Sequence, residues 1–154
     1  MHLEVERKFE AKDLKWLREK LKKDWFALCC SQQIENDTYF TDKDRKFISS
    51  LICLRLRETN DNLEMTYKWK SINNIWLFAK MENNLKLEKS QKKDAIAFLK
   101  SLWYLVYCDV NKTRDVRTKT LENITYNVMF DNIYLCWDFI EFELIVDDYD
   151  PENN

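Results

Sequence analysis

Five pairs of like charges stand two residues apart: Glu4 with Glu6, Glu141 with Glu143, Arg55 with Arg57, Lys68 with Lys70, and Lys112 with Arg114. On an extended strand, residues i and i+2 share a face, and like charges there repel. A face that only meets water would more often mix the signs. The acidic pairs offer hard carboxylate oxygens, the donors that Mg²⁺ or Mn²⁺ takes. The basic pairs offer point charges and guanidinium forks that match the oxygens of an extended polyanion. The acidic pairs come from the two ends of the chain and the basic pairs from its middle. The pattern therefore predicts two opposed patches, one for a divalent metal and one for the polyanion. If the strands close into a barrel, such patches line a lumen that is costly to desolvate unless water, ions and ligand fill it.

The elements that must carry these pairs are legible from periodicity. Leu3-Glu4-Val5-Glu6-Arg7-Lys8-Phe9 alternates as a strand, with the charges on one side and Leu3, Val5 and Phe9 on the other. Leu14, Leu17 and Leu21 predict an amphipathic helix over about 12–23. Two β-prone stretches follow, Trp25 to Ile34 and Thr38 to Thr41. Residues 52–57 and 63–70 alternate again, with Asn60-Asp61-Asn62 as a hairpin signal between them. A strand is expected over Asn84 to Lys89, a second helix over Lys92 to Trp103, and closing strands over 104–114, 124–130 and 139–146. The acidic tail 147–154 is expected to fray. With no repeat, linker or boundary, the chain reads as one domain over 1–154, of the α+β class and mostly antiparallel β.

Composition excludes several functions. The 154 residues carry 25 Lys+Arg against 27 Asp+Glu, without the basic excess expected of a nucleic-acid binder. There is no Gly, where average usage would supply about 11. Gly-rich phosphate loops are therefore ruled out, and turns that need positive φ are expected at Asn60-Asp61-Asn62, Asn73-Asn74 and Asn83-Asn84. The Lys-rich run from Lys15 to Lys23 reads as the solvated side of the first helix. The charged N-terminus and the short longest apolar run, Leu102 to Cys108, give no sign of a signal peptide or a membrane span. Five cysteines without a CxxC spacing read as free thiols in a reducing cytoplasm. Neither Ser49-Ser50 nor any cysteine has a histidine beside it, which removes support for a nucleophilic enzyme.

Glu4-Val5-Glu6-Arg7-Lys8 resembles the N-terminal ExExK signature of the CYTH family, the triphosphate tunnel metalloenzymes. The likeness continues in order through Asp37-Thr38-Tyr39-Phe40, Leu54-Arg55-Leu56-Arg57, Thr66-Tyr67-Lys68 and Lys112-Thr113-Arg114. It closes with Asp131, ten and twelve residues before Glu141 and Glu143. Arg45-Lys46-Phe47 resembles a stretch of class IV adenylyl cyclase-like members. The family's central Arg-x-Glu-x-Glu strand has two partial matches here, Lys80-Met81-Glu82 and Lys86-Leu87-Glu88. Trp69, Trp103 and Trp137 stand where the family usually has Gly, and Leu51 is a fourth such position. A chain engineered to lack Gly, or a recoded codon read as Trp, would account for this.

The resemblance implies an eight-stranded closed β-barrel, the triphosphate tunnel, with flanking helices. It implies Mg²⁺ or Mn²⁺ held by Glu4, Glu6, Glu141 and Glu143. Lys8, Arg55, Arg57, Lys68, Lys112 and Arg114 would hold the triphosphate, with Asp131 and Lys8 as catalytic groups. The implied substrate is a triphosphate-containing small molecule: ATP, tripolyphosphate or thiamine triphosphate. Nucleic acid and membrane are not expected partners, and the aromatic surplus would support a homodimer. The cyclase-like stretch favours conversion of ATP to cAMP and pyrophosphate, with triphosphate hydrolysis as the alternative and a weakly catalytic binding module as a third reading.

Overall fold

The computed structural model describes residues 3–11, 14–70 and 79–146. The expected Asn73-Asn74 turn and the tail 147–154 lie outside these residues, as do the side chains of Glu4, Lys70 and Lys80. The strands are β1 (Leu3–Glu10), β2 (Ala27–Thr41), β3 (Cys53–Glu58), β4 (Leu63–Lys70), β5 (Ala79–Leu87), β6 (Leu105–Leu121), β7 (Ile124–Ile133) and β8 (Asp138–Val146). Three helices accompany them: α1 (Lys15–Lys23), α2 (Lys46–Ser49) and α3 (Lys92–Ser101). The α+β expectation holds, with eight antiparallel strands and few helices. Hydrogen-bonded neighbours follow the order β1-β5-β4-β3-β2-β6-β7-β8, and β8 pairs back with β1.

Two compact units form from discontinuous segments. One comprises Met1–Gln33, Ile72–Lys80 and Thr113–Asn154; the other comprises Ile34–Ser71 and Met81–Lys112. In the first, β8 lies between β1 and β7, with Lys8 opposite Glu141, Glu6 opposite Glu143, and Met129 opposite Glu141. This register puts Glu6 and Lys8 of β1 on one face with Glu141 and Glu143 of β8. The other face carries Val128, Phe130 and Ile140, buried with Leu21 of α1 and flanked by Leu14, Leu17 and Phe26. The i, i+3, i+7 stripe of α1 thus meets the apolar face of β7 and β8.

The second unit repeats the division. Arg55 and Arg57 pair with Thr66 and Glu64 on β4 and with Tyr39 and Asp37 on β2, which places them on one face. Leu54, Leu56 and Phe40 point to the other face, where Leu63 of β4 and Ala95 and Leu99 of α3 complete a buried cluster. Burying a leucine side chain of this kind contributes roughly 1.5–3 kcal/mol.

Backbone conformation departs from the sequence expectation. Positive φ falls on Trp25, Gln32, Arg45, Leu51, Trp103, Glu122 and Leu135, with no Asn or Asp among them. Three of these have one cause. After α1, Trp25 N–H donates to the Lys22 carbonyl and Phe26 N–H to the Leu21 carbonyl. Leu51 and Ile52 repeat the pattern after α2, and Trp103 and Tyr104 after α3. These are Schellman closures, which require a left-handed residue just past the helix. Phe26 and Leu21 belong to one apolar cluster, and Tyr104 and Leu99 to the other, so packing of the next residue imposes the closure whatever residue stands at the turn. Of the four expected glycine positions, Trp103 and Leu51 have a glycine-like backbone. Trp69 and Trp137 do not.

The two expected β-prone pieces form one strand, β2, with a left-handed residue at Gln32. Its left-handed kink is held by Asp115 on β6, whose Oδ1 accepts the Gln32 N–H at 2.8 Å while Oδ2 accepts from Arg18 of α1 at 2.6 Å. Burial works to raise the pKa of Asp115, but the Gln32 backbone bond and the Arg18 guanidinium outweigh it and hold the carboxyl below the usual value.

Two outcomes follow. A left-handed non-glycine residue costs about 1–2 kcal/mol, partly offset by the greater chain entropy of Gly. Trp25 and Trp103 are 85% and 78% exposed and lose little packing on truncation. Trp25→Gly and Trp103→Gly should each raise the urea midpoint at unchanged slope; a lowered midpoint would show that the indole rings support the fold. For Asp115, the depressed folded pKa means its contribution is fully present above the unfolded value of 3.8 and is lost as pH falls through the folded one. The stability gap between wild type and Asp115→Asn should be constant above about pH 5 and shrink below pH 4. A gap that ignores pH would remove this assignment.

Candidate functional site

In the first unit the polar face is organised around Arg114. Its Nε and Nη2 donate to the two oxygens of Asp131, both at 2.6 Å, and Nη2 also donates to Glu141 Oε2 at 2.8 Å. Nη1 points at Met129 Sδ, 2.9 Å away. Lys8 Nζ reaches the same carboxylates, 3.0 Å from Glu141 and 3.5 Å from Asp131. Arg114, Asp131 and Glu141 are all buried, whereas the Lys8 side chain is 42% exposed. Glu143 accepts from Asn127 Nδ2 at 2.7 Å. Of the residues expected to bind metal, Glu6, Glu141 and Glu143 share this face, and Glu4 holds the matching register position on β1.

The face suits a hard divalent cation. Glu6 and Glu143 stand directly opposite on paired strands, an arrangement that repels unless a cation lies nearby. All the donors are carboxylate oxygens, the set that Mg²⁺ or Mn²⁺ prefers. Among the described residues no three such side chains already converge as a cage. Lys8 and Arg114 hold the Asp131 and Glu141 carboxylates instead.

In the second unit Arg57 dominates. It donates from Nε and Nη2 to the two oxygens of Asp37, both at 2.7 Å, and Nη1 lies 3.0 Å from Glu35 Oε2. Lys112 Nζ lies 3.0 Å from that Glu35 oxygen, and Lys68 pairs with Glu82. Burial alone would push Asp37 upward; the Arg57 bonds and charge, aided by Arg55 and Lys112, reverse this and hold it below the usual carboxylate value. Tyr39 donates to Asp37 Oδ2 at 3.3 Å. Burial, then the Asp37 charge, pushes the Tyr39 phenol up to about 12.

Arg55 differs from its neighbours. Its Nη2 donates to the Thr66 hydroxyl at 3.2 Å, and its buried Nε has no acceptor among the described residues. A buried guanidinium N–H without an acceptor is costly, and an anion is one group that satisfies it.

The expected opposition of a purely acidic and a purely basic patch does not survive. Each unit interleaves the two signs, because buried like charges need counter-charges close by. Glu35, Asp37 and Glu82 supply them in the second unit. The sequence signal for the first two was available: Glu35 and Asp37 are themselves an i, i+2 acidic pair. Of the two candidate central segments, Glu82 lies on the polar face, whereas Glu88 caps the 3₁₀ turn Lys89–Gln91 through reciprocal bonds with Gln91. Asn84 occupies the position two beyond Glu82.

Comparison with known proteins agrees with this architecture. The CYTH domain matches residues 2–153. Among solved structures, a protein from Pyrococcus horikoshii OT3 superposes with a TM-score of 0.73 at 22% identity, over 97% of this chain and 80% of that one. A Vibrio parahaemolyticus protein described as a candidate adenylate cyclase gives 0.73 at 18% identity, over 95% and 78%. A Hippeastrum protein, described as a candidate adenylyl cyclase with a dominant triphosphatase activity, gives 0.68 at 12% identity, over 99% and 81%. No curated protein matches. At these identities the structural likeness speaks for the fold alone, and the chain has the barrel-like fold of those proteins. The domain match over nearly the whole sequence decides the family: this chain belongs to the CYTH domain family.

Proposed function

We propose that this chain is a metal-dependent enzyme acting on a triphosphate, with hydrolysis of the terminal phosphoryl group as its reaction. The single observation that carries the reading is the Arg55 guanidinium, buried at Nε and without an acceptor there, on a face shared with Arg57 and Lys68. Phosphate oxygens satisfy a guanidinium of this kind, and Lys68 and Lys112 add charge to the same face.

The carboxylates Glu6, Glu141 and Glu143, with Glu4, are the residues that would hold Mg²⁺ or Mn²⁺. When bound, the ion supplies charge neutralisation to phosphate oxygens. In the second unit Arg55 and Arg57 are the groups suited to hold phosphate oxygens; in the first, the partly exposed Lys8 is suited to charge that develops on them. Water attacks the terminal phosphorus, the bridging P–O bond breaks, and the water proton departs, leaving orthophosphate and the shortened chain. Asp131 has both oxygens occupied by Arg114, so its role is to position that guanidinium rather than to accept the proton. Glu143, fixed on one oxygen by Asn127, is better placed to orient the attacking water.

The cyclase reading rests on the neighbours described as adenylate cyclases and on Tyr39-Phe40 and Arg45-Lys46-Phe47. Phe40 is buried in the apolar cluster of the second unit, and Phe47 packs on Tyr104 at 5.5 Å. Both phenylalanines are committed to packing and the Tyr39 hydroxyl to Asp37, which favours hydrolysis over recognition of a nucleoside by these rings.

The deciding experiment supplies ATP and tripolyphosphate with Mg²⁺ or Mn²⁺ and resolves orthophosphate, pyrophosphate and cAMP. Orthophosphate without cyclic product supports the reading; cAMP with equimolar pyrophosphate replaces it with the cyclase. Absence of turnover on either substrate removes the enzyme. Glu143→Gln should lower turnover roughly a hundredfold or more while circular dichroism stays unchanged. Wild-type turnover in that variant would dismiss the role given to Glu143.

A further inference from the structure

Away from both polar faces, β2 holds a pair of nucleophilic side chains in contact. Cys29 and Cys30 are consecutive residues of that strand, and their Sγ atoms lie 3.9 Å apart with the Cys30 thiol directed at Cys29. Consecutive side chains on a strand point to opposite faces, so two sulfurs this close have turned toward each other across the backbone. Cys29 is exposed, Cys30 is half-buried, and both are reduced. Contacts on either side fix this stretch against β6. Before it, Arg117 Nη1 donates to the Phe26 carbonyl at 3.2 Å. After it, Asp115 Oδ1 accepts from the Gln32 N–H at 2.8 Å and from the Ser31 hydroxyl at 3.3 Å. With both ends held, the two thiols keep their approach.

An accessible thiol with a second thiol beside it is the arrangement in which a sulfenic acid forms and is resolved. We propose that Cys29-Cys30 is a modification site for peroxides, with Cys29 the residue attacked and Cys30 the one that resolves it. The Cys29 sulfur attacks one oxygen of hydrogen peroxide, the O–O bond breaks, and the other oxygen leaves as water. The Cys30 sulfur then attacks the sulfenic sulfur of Cys29. An S–S bond forms, the S–O bond breaks, and the oxygen leaves as a second water. Two thiols are oxidised to one disulfide while one peroxide is reduced to two waters, and the two thiol protons end in those waters.

The product is a reversible mark. Consecutive Cα atoms across a trans peptide are about 3.8 Å apart, whereas a relaxed disulfide spans about 4.4–6.8 Å. A disulfide closed between neighbours is therefore strained, and strained disulfides are the labile ones that a thiol pool reduces again. Cys136 supplies an internal comparison. It is exposed on the turn between β7 and β8, with no second thiol against it among the described residues.

The test treats the full chain with hydrogen peroxide at less than one equivalent and reads tryptic fragments by mass. Trypsin cuts after Lys23 and Lys43, so both residues fall in one fragment, 24–43, with no other cysteine. That fragment should become lighter by two hydrogens before the Cys136 fragment gains oxygen, and dithiothreitol should restore its mass. Oxygen gained on 24–43 without loss of hydrogen overturns the proposal, as does prior oxidation of Cys136 or a disulfide between two chains. In Cys30→Ser the same dose should leave a sulfenic acid at Cys29, captured as a dimedone adduct; no adduct there removes Cys29 as the residue attacked. In urea the anchors to β6 are gone, and the preference for the pair over Cys136 should be lost. An undiminished preference would show that adjacency in sequence is enough and would overturn the role given to the fold. None of these readouts involves a triphosphate, so they stand or fall apart from the proposed enzyme reaction.

Discussion

The first unit depends on keeping one guanidinium charged after it has been taken out of water. Arg114 is buried, and moving an ion of this size into the interior costs several kcal/mol even after relaxation. That cost is offset only by geometry of the quality seen here, a two-point bond to Asp131 and a third contact to Glu141. The arrangement explains why Asp131, Met129 and Glu141 must sit where β7 and β8 place them. A one-residue slip of β8 against β7 would turn Glu141 toward the apolar cluster and leave Arg114 short of a counter-charge. Register and charge pairing are therefore the same constraint seen twice.

The second unit solves the same problem with an imbalance left in. Arg57 sits between Glu35 and Asp37 much as Arg114 sits between its carboxylates, and Lys112 shares Glu35. Those contacts are the scaffold of the face. Arg55, whose Nε has no acceptor among the described residues, is its most available member. The depressed Asp37 and the raised Tyr39 express the same asymmetry, since the carboxylate stays ionised for Arg57 and the phenol stays neutral beside Arg55. A fully neutralised face would be more comfortable unliganded and less attractive to an anion.

Much of this was legible in sequence because strand parity is a strict rule. The alternation in residues 3–9 and 52–57 put Glu6 and Lys8, and Arg55 and Arg57, on common faces without any coordinates. What parity could not supply was which strand neighbours which, and hence which cation meets which carboxylate. Arg114 meets Asp131 because β6 and β7 are joined by a tight turn, but Arg57 meets Glu35 and Asp37 only through the pairing of β2 with β3. The strand β2 itself was read as two pieces because the polar run Glu35-Asn36-Asp37 interrupts its β-prone character, and its kink at Gln32, maintained by Asp115 from far along the chain, had no local signal. Among the described residues the left-handed positions fall outside the expected Asn and Asp turns for a related reason. At the ends of α1 and α3 the left-handed residue precedes one that packs on an apolar cluster, so tertiary packing overrides local preference there.

The same parity separates what holds the protein together from what it can do. Along β8, Ile140 packs under α1 while Glu141 joins the Arg114 cluster; along β3, Leu54 and Leu56 pack beneath α3 while Arg55 and Arg57 face the polar side. Apolar burial, at about 25 cal/mol per Å², is thus concentrated on faces that carry none of the candidate site. The polar faces contribute little net stability, because desolvation consumes most of what their ion pairs return. The polar residues can then change without taxing the core that positions them. A site built this way can change its ligand preference by single substitutions on alternate residues, and the fold that carries it need not respond.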